Sequence, residues 1–196
     1  MSIDGYVAGP NQSEDNPLGE GGMALHEWAF QLKSDASKAA REAMNENVGA
    51  VIMGRNMFGG RGSWEEHPWD GWWGEDPPYH VPVFVLTHHE REPLEMQGGT
   101  TFHFVTDGPV AALARAREAA GDQDVHVTGG AGAVQQYIRA GLLDELRLHV
   151  VPMVLGAGER LLDDLGDPPP AFELVSAVDA PGVTHVTYRI GGAPAS

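Results

Sequence analysis

The chain has 196 residues, of which 42% are hydrophobic and 20% are charged. This composition is typical of a globular protein rather than a disordered or fibrous one. Twelve Lys and Arg against 28 Asp and Glu give a formal net charge of −16, which disfavours nucleic acids and acidic membranes as partners. The absence of Cys excludes disulfides and thiolate metal sites and favours a reducing, cytoplasmic location.

The length indicates one domain over residues 1–196, because a chain of this size can bury roughly 70% of its unfolded surface without disulfides or metals. No apolar run reaches the ~20 residues that span a bilayer. The segment Met1–Gly5 has neither the basic region nor the apolar stretch of a signal peptide. Both observations support the cytoplasmic location.

The first quarter of the chain predicts a strand end, a loop and a helix. Ile3–Ala8 is compatible with the end of a strand, and Gly9–Gly22 is a loop that is exposed or faces a ligand. Residues 34–46 are rich in Ala and have one apolar face, with Ser34 or Asp35 placed to cap the helix.

The rest of the chain alternates between apolar runs of strand length and helical segments. The predicted strands are Val48–Met53, Pro82–Leu86, Phe102–Phe104, Val125–Val127, Glu145–Val151, Phe172–Val178 and Val183–Ile190. The predicted helices are Pro109–Ala120 and 132–140. Strands separated by helices indicate right-handed crossovers, and therefore a three-layer α/β fold with a mostly parallel sheet. The turn at Pro181-Gly182 predicts a C-terminal hairpin that adds an antiparallel edge, and the tail 192–196 is predicted to fray.

Ligands of open α/β sheets collect at the carboxyl ends of the strands, and three of these ends are compatible with phosphate. The first contains Gly54, Arg55 and Asn56, where Gly permits close backbone approach and Arg brings a positive charge to the start of a helix. The alternative is a strand-to-helix turn with a surface Arg.

The second strand end begins with Thr87 and His88, and a hydroxyl followed by potential cations suits a phosphate monoester. A solvated loop is the alternative interpretation. If the second strand end binds phosphate, the three strand ends together predict a bound dinucleotide that carries a 2′-phosphate.

The third strand end is Thr128-Gly129-Gly130-Ala131-Gly132. Its small residues leave backbone amides uncovered at the start of a helix, as a pyrophosphate site requires. The alternative is a tight turn, since the segment is not a G-x-G-x-x-G motif.

Four segments occur in an order that resembles the reductase domain of riboflavin biosynthesis, the RibD C-terminal domain, and its stand-alone relatives in the dihydrofolate-reductase-like superfamily. The segments are Ser2–Ala8, Val51–Arg55, Thr128–Ala131 and Gly141–Pro152 with Gly156–Gly158. The resemblance covers nearly the whole chain. It implies a dihydrofolate-reductase-like fold, hydride transfer from NADPH to a small heterocyclic substrate such as a pterin or an aminopyrimidine, and a homodimer formed partly by the late strands.

The resemblance also implies the positions of the cofactor. Gly54 and Arg55 would lie near its phosphates, Thr87 and its neighbours near the 2′-phosphate, and the Gly129–Ala131 segment under the pyrophosphate. NADPH is therefore expected to bind more tightly than NADH.

The sequence departs from the family in its first strand and at two substrate positions. The family's first strand begins several residues before the Ser-Ile-Asp-Gly element, so either this strand is truncated or the native chain starts upstream of Met1. The riboflavin reductases usually carry Lys where this chain has Tyr6, and an acidic residue where it has Thr128. We therefore expect poor reduction of their phosphorylated pyrimidine. Dihydrofolate reductases hold the pterin with an acidic residue on their first helix. Glu27 and Asp35 lie in the corresponding region of this sequence and are candidates for that residue by region only.

Asp4 is the first candidate for a catalytic polar group at the substrate end, because it lies in the motif that resembles the end of the family's first strand. A turn-forming Asp before Gly5 is the alternative. The main rival function is an NADPH-binding or sensor protein without turnover.

Two groups of residues have competing structural explanations. An aromatic-rich segment is interpreted either as packing, at a dimer contact or over the sheet edge, or as a lid over the substrate; it contains Trp64, Trp69, Trp72, Trp73 and Tyr79. Histidines at 103, 126 and 149 lack a metal-ligand spacing, so we expect ordinary polar partners and no metal.

Overall fold

The structure is a computed structural model that describes residues 1–31, 33–60 and 62–191. The predicted frayed tail lies outside these residues. The strands are β1 Tyr6–Ala8, β2 Val48–Gly54, β3 Pro82–Leu86, β4 Leu94–Glu95, β5 Thr101–Val105, β6 Asp124–Gly129, β7 Glu145–Val150, β8 Glu159–Arg160, β9 Ala171–Ala180 and β10 Val183–Gly191. The helices are α1 Glu27–Gln31, α2 Asp35–Ala43, α3 Arg55–Phe58, α4 Pro109–Ala120 and α5 Ala131–Arg139.

The chain forms two compact units. The first contains Met1–Met44 and the residues from Gln135 onward, and the second contains Asn45–Val134. Each unit has a sheet of its own.

The second unit contains a five-stranded sheet with the order β4-β5-β3-β2-β6. β2 pairs in parallel with β3 and β6, β3 pairs in parallel with β5, and only β4 is antiparallel. The prediction of a mostly parallel sheet in an α/β fold is therefore confirmed.

Side chains alternate between the two faces of this sheet, as the strand period of two requires. On one face α4 packs against β2, β3 and β6 and buries Ala112 and Ala116 completely. The other face carries the cluster Val51, Met53, Phe58, Val83, Val85, Phe102 and Phe104, against which Trp64, Trp69, Trp73 and Tyr79 pack. The aromatic-rich segment therefore covers a face of the sheet, which supports its interpretation as packing.

The first unit contains a three-stranded antiparallel sheet with the order β7-β10-β9. β9 and β10 form the predicted hairpin around Pro181 and Gly182. The hairpin does not add an edge to the parallel sheet, because β10 pairs with β7 over six residues. In the same unit, β1 pairs with β8.

Two predicted elements are shorter than expected. The predicted strand Ile3–Ala8 begins only at Tyr6, because the preceding residues form a turn in which the Tyr6 N–H donates to the Ser2 hydroxyl at 3.0 Å. The helix predicted over 34–46 ends at Ala43, and Ser34 caps its start by accepting from the Ser37 N–H at 3.1 Å.

Candidate functional site

Three predicted cofactor segments follow adjacent strands of the five-stranded sheet. In the order β3-β2-β6, the register places Gly54 opposite Leu86 and Met53 opposite Gly129. The carboxyl ends of these parallel strands meet at one edge of the sheet, where ligands of such sheets collect. The structure therefore brings together the segments around Gly54, Thr87 and Gly129.

Gly54 lies against the glycine pair that follows β6. A Cβ atom at Gly54 would be 3.2 Å from the Ala133 Cβ and 3.7 Å from the Gly130 nitrogen, so a larger residue would press on this segment. Gly129 has a φ of 129°, which strains any other residue type, and its peptide bond to Gly130 is cis.

The backbone after the glycine pair turns directly into α5. The N–H groups of Ala133 and Val134 donate to the Gly130 carbonyl at 3.1 and 3.2 Å, which closes the first turn. Among the described residues, no heavy atom beyond the chain neighbours, and for Gly132 beyond the backbone of α5 itself, lies within 4 Å of a Cβ built at Gly130 or at Gly132. Ala131 is buried. The space beside this backbone can therefore accept a ligand, which supports its prediction as a pyrophosphate site.

Arg55 carries a charge without a polar partner at its guanidinium end. Its Nη1 and Nη2 atoms are buried and have no hydrogen-bond partner among the described residues, and its Nε approaches the Gly60 carbonyl at 3.5 Å. Burial, and secondarily Arg91, lowers the pKa of Arg55 to about 10, so it remains a cation at neutral pH. An unpaired buried guanidinium is unfavourable, and a phosphate would satisfy its donors after a local shift that uncovers them.

At the second strand end, the contacts of Thr87 favour a structural role for this residue over a ligand contact. The buried Thr87 hydroxyl accepts from the His89 N–H at 3.2 Å, which is the contact of a tight turn. His88 and Asn56 are exposed and available to a ligand. Thr128 is exposed, and its hydroxyl donates weakly to the Ile52 carbonyl at 3.4 Å.

Two residues near Arg55 were not among the predicted site residues. The ring of Trp64 lies 3.2 Å from the Arg55 Cζ, and the Arg91 Cζ lies 5.0 Å from the same ring. Arg91 is paired, because it donates to Asp70 at 2.6 Å and to the Trp69 carbonyl. Arg91 could have been found from the sequence, because it follows Thr87 in the same segment. The contact of Trp64 with Arg55 could not, because it joins segments that local sequence does not connect.

Asp4, the predicted catalytic residue, lies in the first unit and accepts two backbone hydrogen bonds. The Leu155 N–H donates to its Oδ1 at 3.2 Å and the Gly156 N–H donates to its Oδ2 at 2.8 Å. The Ser2 hydroxyl, followed by these two N–H groups, lowers the pKa of Asp4 to about 2. Asp4 is therefore an anion at neutral pH, which can orient a ligand but has no proton to donate.

A cation lies beside Tyr6, where the riboflavin reductases usually carry Lys. β8 pairs Arg160 with Tyr6, and the Arg160 Cζ lies 5.5 Å from the Tyr6 ring. Arg160 also faces Asp163 at 3.5 Å. Sequence reasoning missed this residue, because only the β1–β8 pairing brings it to Tyr6.

Two of the three strand histidines have identified neighbours. His103 stacks on Phe84, and His149 approaches His185 with 2.8 Å between their Nδ1 atoms. No group of three His, Cys, Asp or Glu residues in the described ranges is arranged to hold a metal ion. Within the same ranges, no helix is long and apolar enough to cross a membrane.

Comparison with known proteins gives one family and one relative of similar length. Residues 1–186 match the RibD C-terminal domain. The Bacillus subtilis (strain 168) protein YyaP, which is uncharacterized, is 21% identical, and the match covers 98% of this chain and 92% of YyaP.

Solved structures show the same fold. A Shewanella sp. PV-4 protein assigned to riboflavin biosynthesis is 23% identical and has a TM-score of 0.66, with 97% of this chain and 95% of that chain covered. Acinetobacter baumannii RibD is 14% identical with a TM-score of 0.58, and the match covers 97% of this chain but 55% of RibD. A Thermotoga maritima diaminohydroxyphosphoribosylaminopyrimidine deaminase/5-amino-6-(5-phosphoribosylamino)uracil reductase is 15% identical with a TM-score of 0.57, and 54% of it is covered. The chain thus spans about half the length of these two larger proteins.

Proposed function

The chain belongs to the RibD C-terminal domain family, and from this membership we propose that it is an NADPH-dependent reductase that transfers hydride to a small heterocyclic substrate. The related Thermotoga maritima protein is named as a reductase of a phosphoribosylaminouracil. We propose the same reaction type here with a different substrate, such as a pterin or another aminopyrimidine.

The observation that carries this proposal is the arrangement of Gly54, Arg55 and the Gly129–Gly130 pair at adjacent strand ends. Gly54 allows close backbone approach, Gly130 leaves open space at the start of α5, and Arg55 has uncommitted donors. These features suit a dinucleotide, whose phosphates need backbone N–H groups and a cation. In a chain with a formal charge of −16, an arginine with buried terminal nitrogens and without an acidic partner among the described residues supports an anionic ligand.

The proposed roles of individual residues follow the family resemblance. Arg55 binds a phosphate, with Asn56, Thr87 and His88 beside it. The segment Thr128–Gly132 contacts the pyrophosphate. NADPH supplies the hydride when bound, and the protein provides binding and orientation.

Within the first unit, Asp4, Tyr6 and Arg160 are the residues proposed to contact the substrate. The Asp4 carboxylate can accept a hydrogen bond from an exocyclic amino group of a heterocycle, because its backbone contacts leave further lone pairs. Arg160 offers the cation that Tyr6 lacks. The proton that completes the reduction comes from another group or from water.

A second candidate is NADPH binding without turnover. The residues Tyr6 and Thr128 favour it, since they stand at substrate positions where the riboflavin reductases usually carry Lys and an acidic residue. A cytoplasmic location and a homodimer remain predictions under both candidates.

The test is NADPH oxidation, followed by the loss of nicotinamide absorbance, with a panel of dihydropterins, aminouracils and quinonoid compounds. We expect turnover of at least one compound, and loss of this turnover in Arg55→Gln. NADPH binding without oxidation by any compound would favour the second candidate, and failure to bind NADPH would refute both.

A further inference from the structure

Trp64 connects two of the segments to which the proposed function assigns phosphate contacts. Its ring lies 3.2 Å from the Arg55 Cζ, and its indole N–H donates to the His89 carbonyl at 2.9 Å. Arg55 follows β2 and His89 lies just after β3, the neighbouring strand of the sheet. One side chain therefore contacts both strand ends.

The ring of Trp64 is the main restraint on the Arg55 guanidinium. In the described part of the chain, Nη1 and Nη2 have no hydrogen-bond partner, and the Nε contact with Gly60 is long at 3.5 Å. Stacking on an aromatic face is attractive for a guanidinium and leaves its in-plane N–H donors uncommitted. Trp64 can thus fix the position of the cation without using the donors that a phosphate needs.

The same ring has its own supports. Trp64 packs edge-on against Phe58 and Phe104, with ring centroids 5.9 and 4.9 Å apart. Both phenylalanines belong to the buried cluster on the sheet. Arg91 also faces the ring, but its charge is compensated by Asp70 at 2.6 Å. The uncompensated cation of the group is Arg55.

We propose that Trp64 is a positioning residue that holds Arg55 and the Thr87–His89 turn together, so that both contact the 2′-phosphate of the dinucleotide after a local shift that uncovers the buried Arg55 donors. The proposal rests on the proposed function and deepens it. Because NADH lacks the 2′-phosphate, Trp64 determines the preference for NADPH over NADH more than the affinity for nucleotides in general.

The test compares the ratio of the Kd for NADH to the Kd for NADPH in three variants. Trp64→Leu removes both the stack and the indole N–H, and we expect the ratio to fall about tenfold, as expected for the loss of one cation–π contact and one hydrogen bond. Trp64→Phe keeps a ring under the guanidinium and removes only the N–H, so its ratio should fall less. An unchanged ratio in Trp64→Leu would overturn the proposal, whatever happens to stability.

Trp73→Leu is the matched control. Trp73 packs on the same cluster, with ring contacts to Phe58, Phe102 and Tyr79, and no ring contact to Arg55 or Arg91 is found in the described residues. It should lower thermal stability and leave the cofactor ratio unchanged. An equal fall of the ratio in Trp73→Leu would mean that loosening of the cluster, not positioning of Arg55, sets the preference.

A second readout does not depend on nucleotide binding. The Arg55 Nε–H signal in a nitrogen-15 NMR spectrum, assigned with Arg55→Lys, should show a ring-current shift in the unmodified protein. The shift should persist in Trp64→Phe and disappear in Trp64→Leu. If neither nucleotide binds, the proposed function fails, and this signal still decides the role of Trp64: an Arg55 signal that is the same in the unmodified protein and Trp64→Leu would refute it.

Discussion

Gly130 tests the proposed pyrophosphate site at the level of one residue. A Cβ there meets no heavy atom within 4 Å among the described residues, so Gly130→Val should fold. The branched side chain would occupy the space beside the first turn of α5 and separate the backbone from a phosphate. We expect affinity for NADPH to fall by about 100-fold or more in a nucleotide titration, which corresponds to roughly 3 kcal/mol.

Gly191→Val is the control for this substitution. A Cβ at Gly191 likewise meets no heavy atom within 4 Å among residues 1–31, 33–60 and 62–191, its φ is not positive, and it lies at the end of β10 in the other unit. It should bind NADPH like the unmodified protein. Normal NADPH binding by Gly130→Val would show that the glycine pair forms only a turn.

Tyr6 and Thr128 test the substrate preference. We expect slow reduction of the phosphorylated ribosylaminopyrimidine of riboflavin synthesis, because the family's cation and acid are absent at these two positions. Each missing charge-assisted hydrogen bond costs about 1.5–3 kcal/mol, so two additive losses lower activity by roughly a hundredfold or more. The Tyr6→Lys, Thr128→Glu double variant should gain this activity, as measured by NADPH oxidation.

Arg160 is the residue that could weaken this expectation. It supplies a cation beside Tyr6 and compensates for the missing Lys if it contacts the substrate phosphate. Efficient turnover of the pyrimidine by the unmodified protein would contradict the prediction, and loss of that turnover in Arg160→Gln would then identify the compensating group.

At the level of elements, the pairing of β7 with β10 brings His149 and His185 together. Burial, and secondarily the neighbouring His185, lowers the pKa of His149 to about 4, and burial also lowers the pKa of His185. Trp28 packs on both rings, and the Ser37 hydroxyl lies 3.5 Å from His185. The folded protein therefore favours neutral imidazoles.

This histidine pair should make stability depend on pH. Between pH 6.5 and about 4 the unfolded chain binds a proton at His149 that the folded protein does not, so the free energy of unfolding falls as pH falls. We expect a loss of about 2 kcal/mol from pH 6.5 to 4.5 from this residue. In urea unfolding, His149→Gln should lose less free energy of unfolding over this interval than the unmodified protein does. His67→Gln, which changes an exposed histidine, should lose as much as the unmodified protein. If the free energy of unfolding falls equally steeply with pH in His149→Gln and in the unmodified protein, His149 is not the cause of the pH dependence.

The same elements show what local sequence can predict. β2, β3 and α4 were predictable because their apolar residues are contiguous or periodic, and Ser34 was predictable because capping depends on neighbouring residues. The pairing of β10 with β7 was not, since it depends on residues far apart in the chain. The contacts of Trp64 with Arg55 and of Arg160 with Tyr6 escaped prediction for the same reason.

At the level of the whole molecule, β9 is an edge strand with a long exposed stretch. In the described part of the first unit it pairs only with β10, and its exposed residues include Leu174, Val175 and Val178. An apolar edge of this length favours pairing with another chain. We expect a homodimer of this chain, measured as twice the monomer mass by light scattering at micromolar concentration. Val175→Lys should shift the protein toward monomer, and a monomer in the unmodified protein would contradict the prediction.

The most direct test of the account is an equilibrium titration of the unmodified protein with NADPH and, separately, with NADH. The strand-end glycines and the unpaired Arg55 predict saturable binding of NADPH with a Kd of ~10 µM or below, and binding of NADH that is weaker by about tenfold or more. No saturable binding of NADPH, or equal affinity for both nucleotides, would contradict the proposal that this protein is an NADPH-dependent reductase.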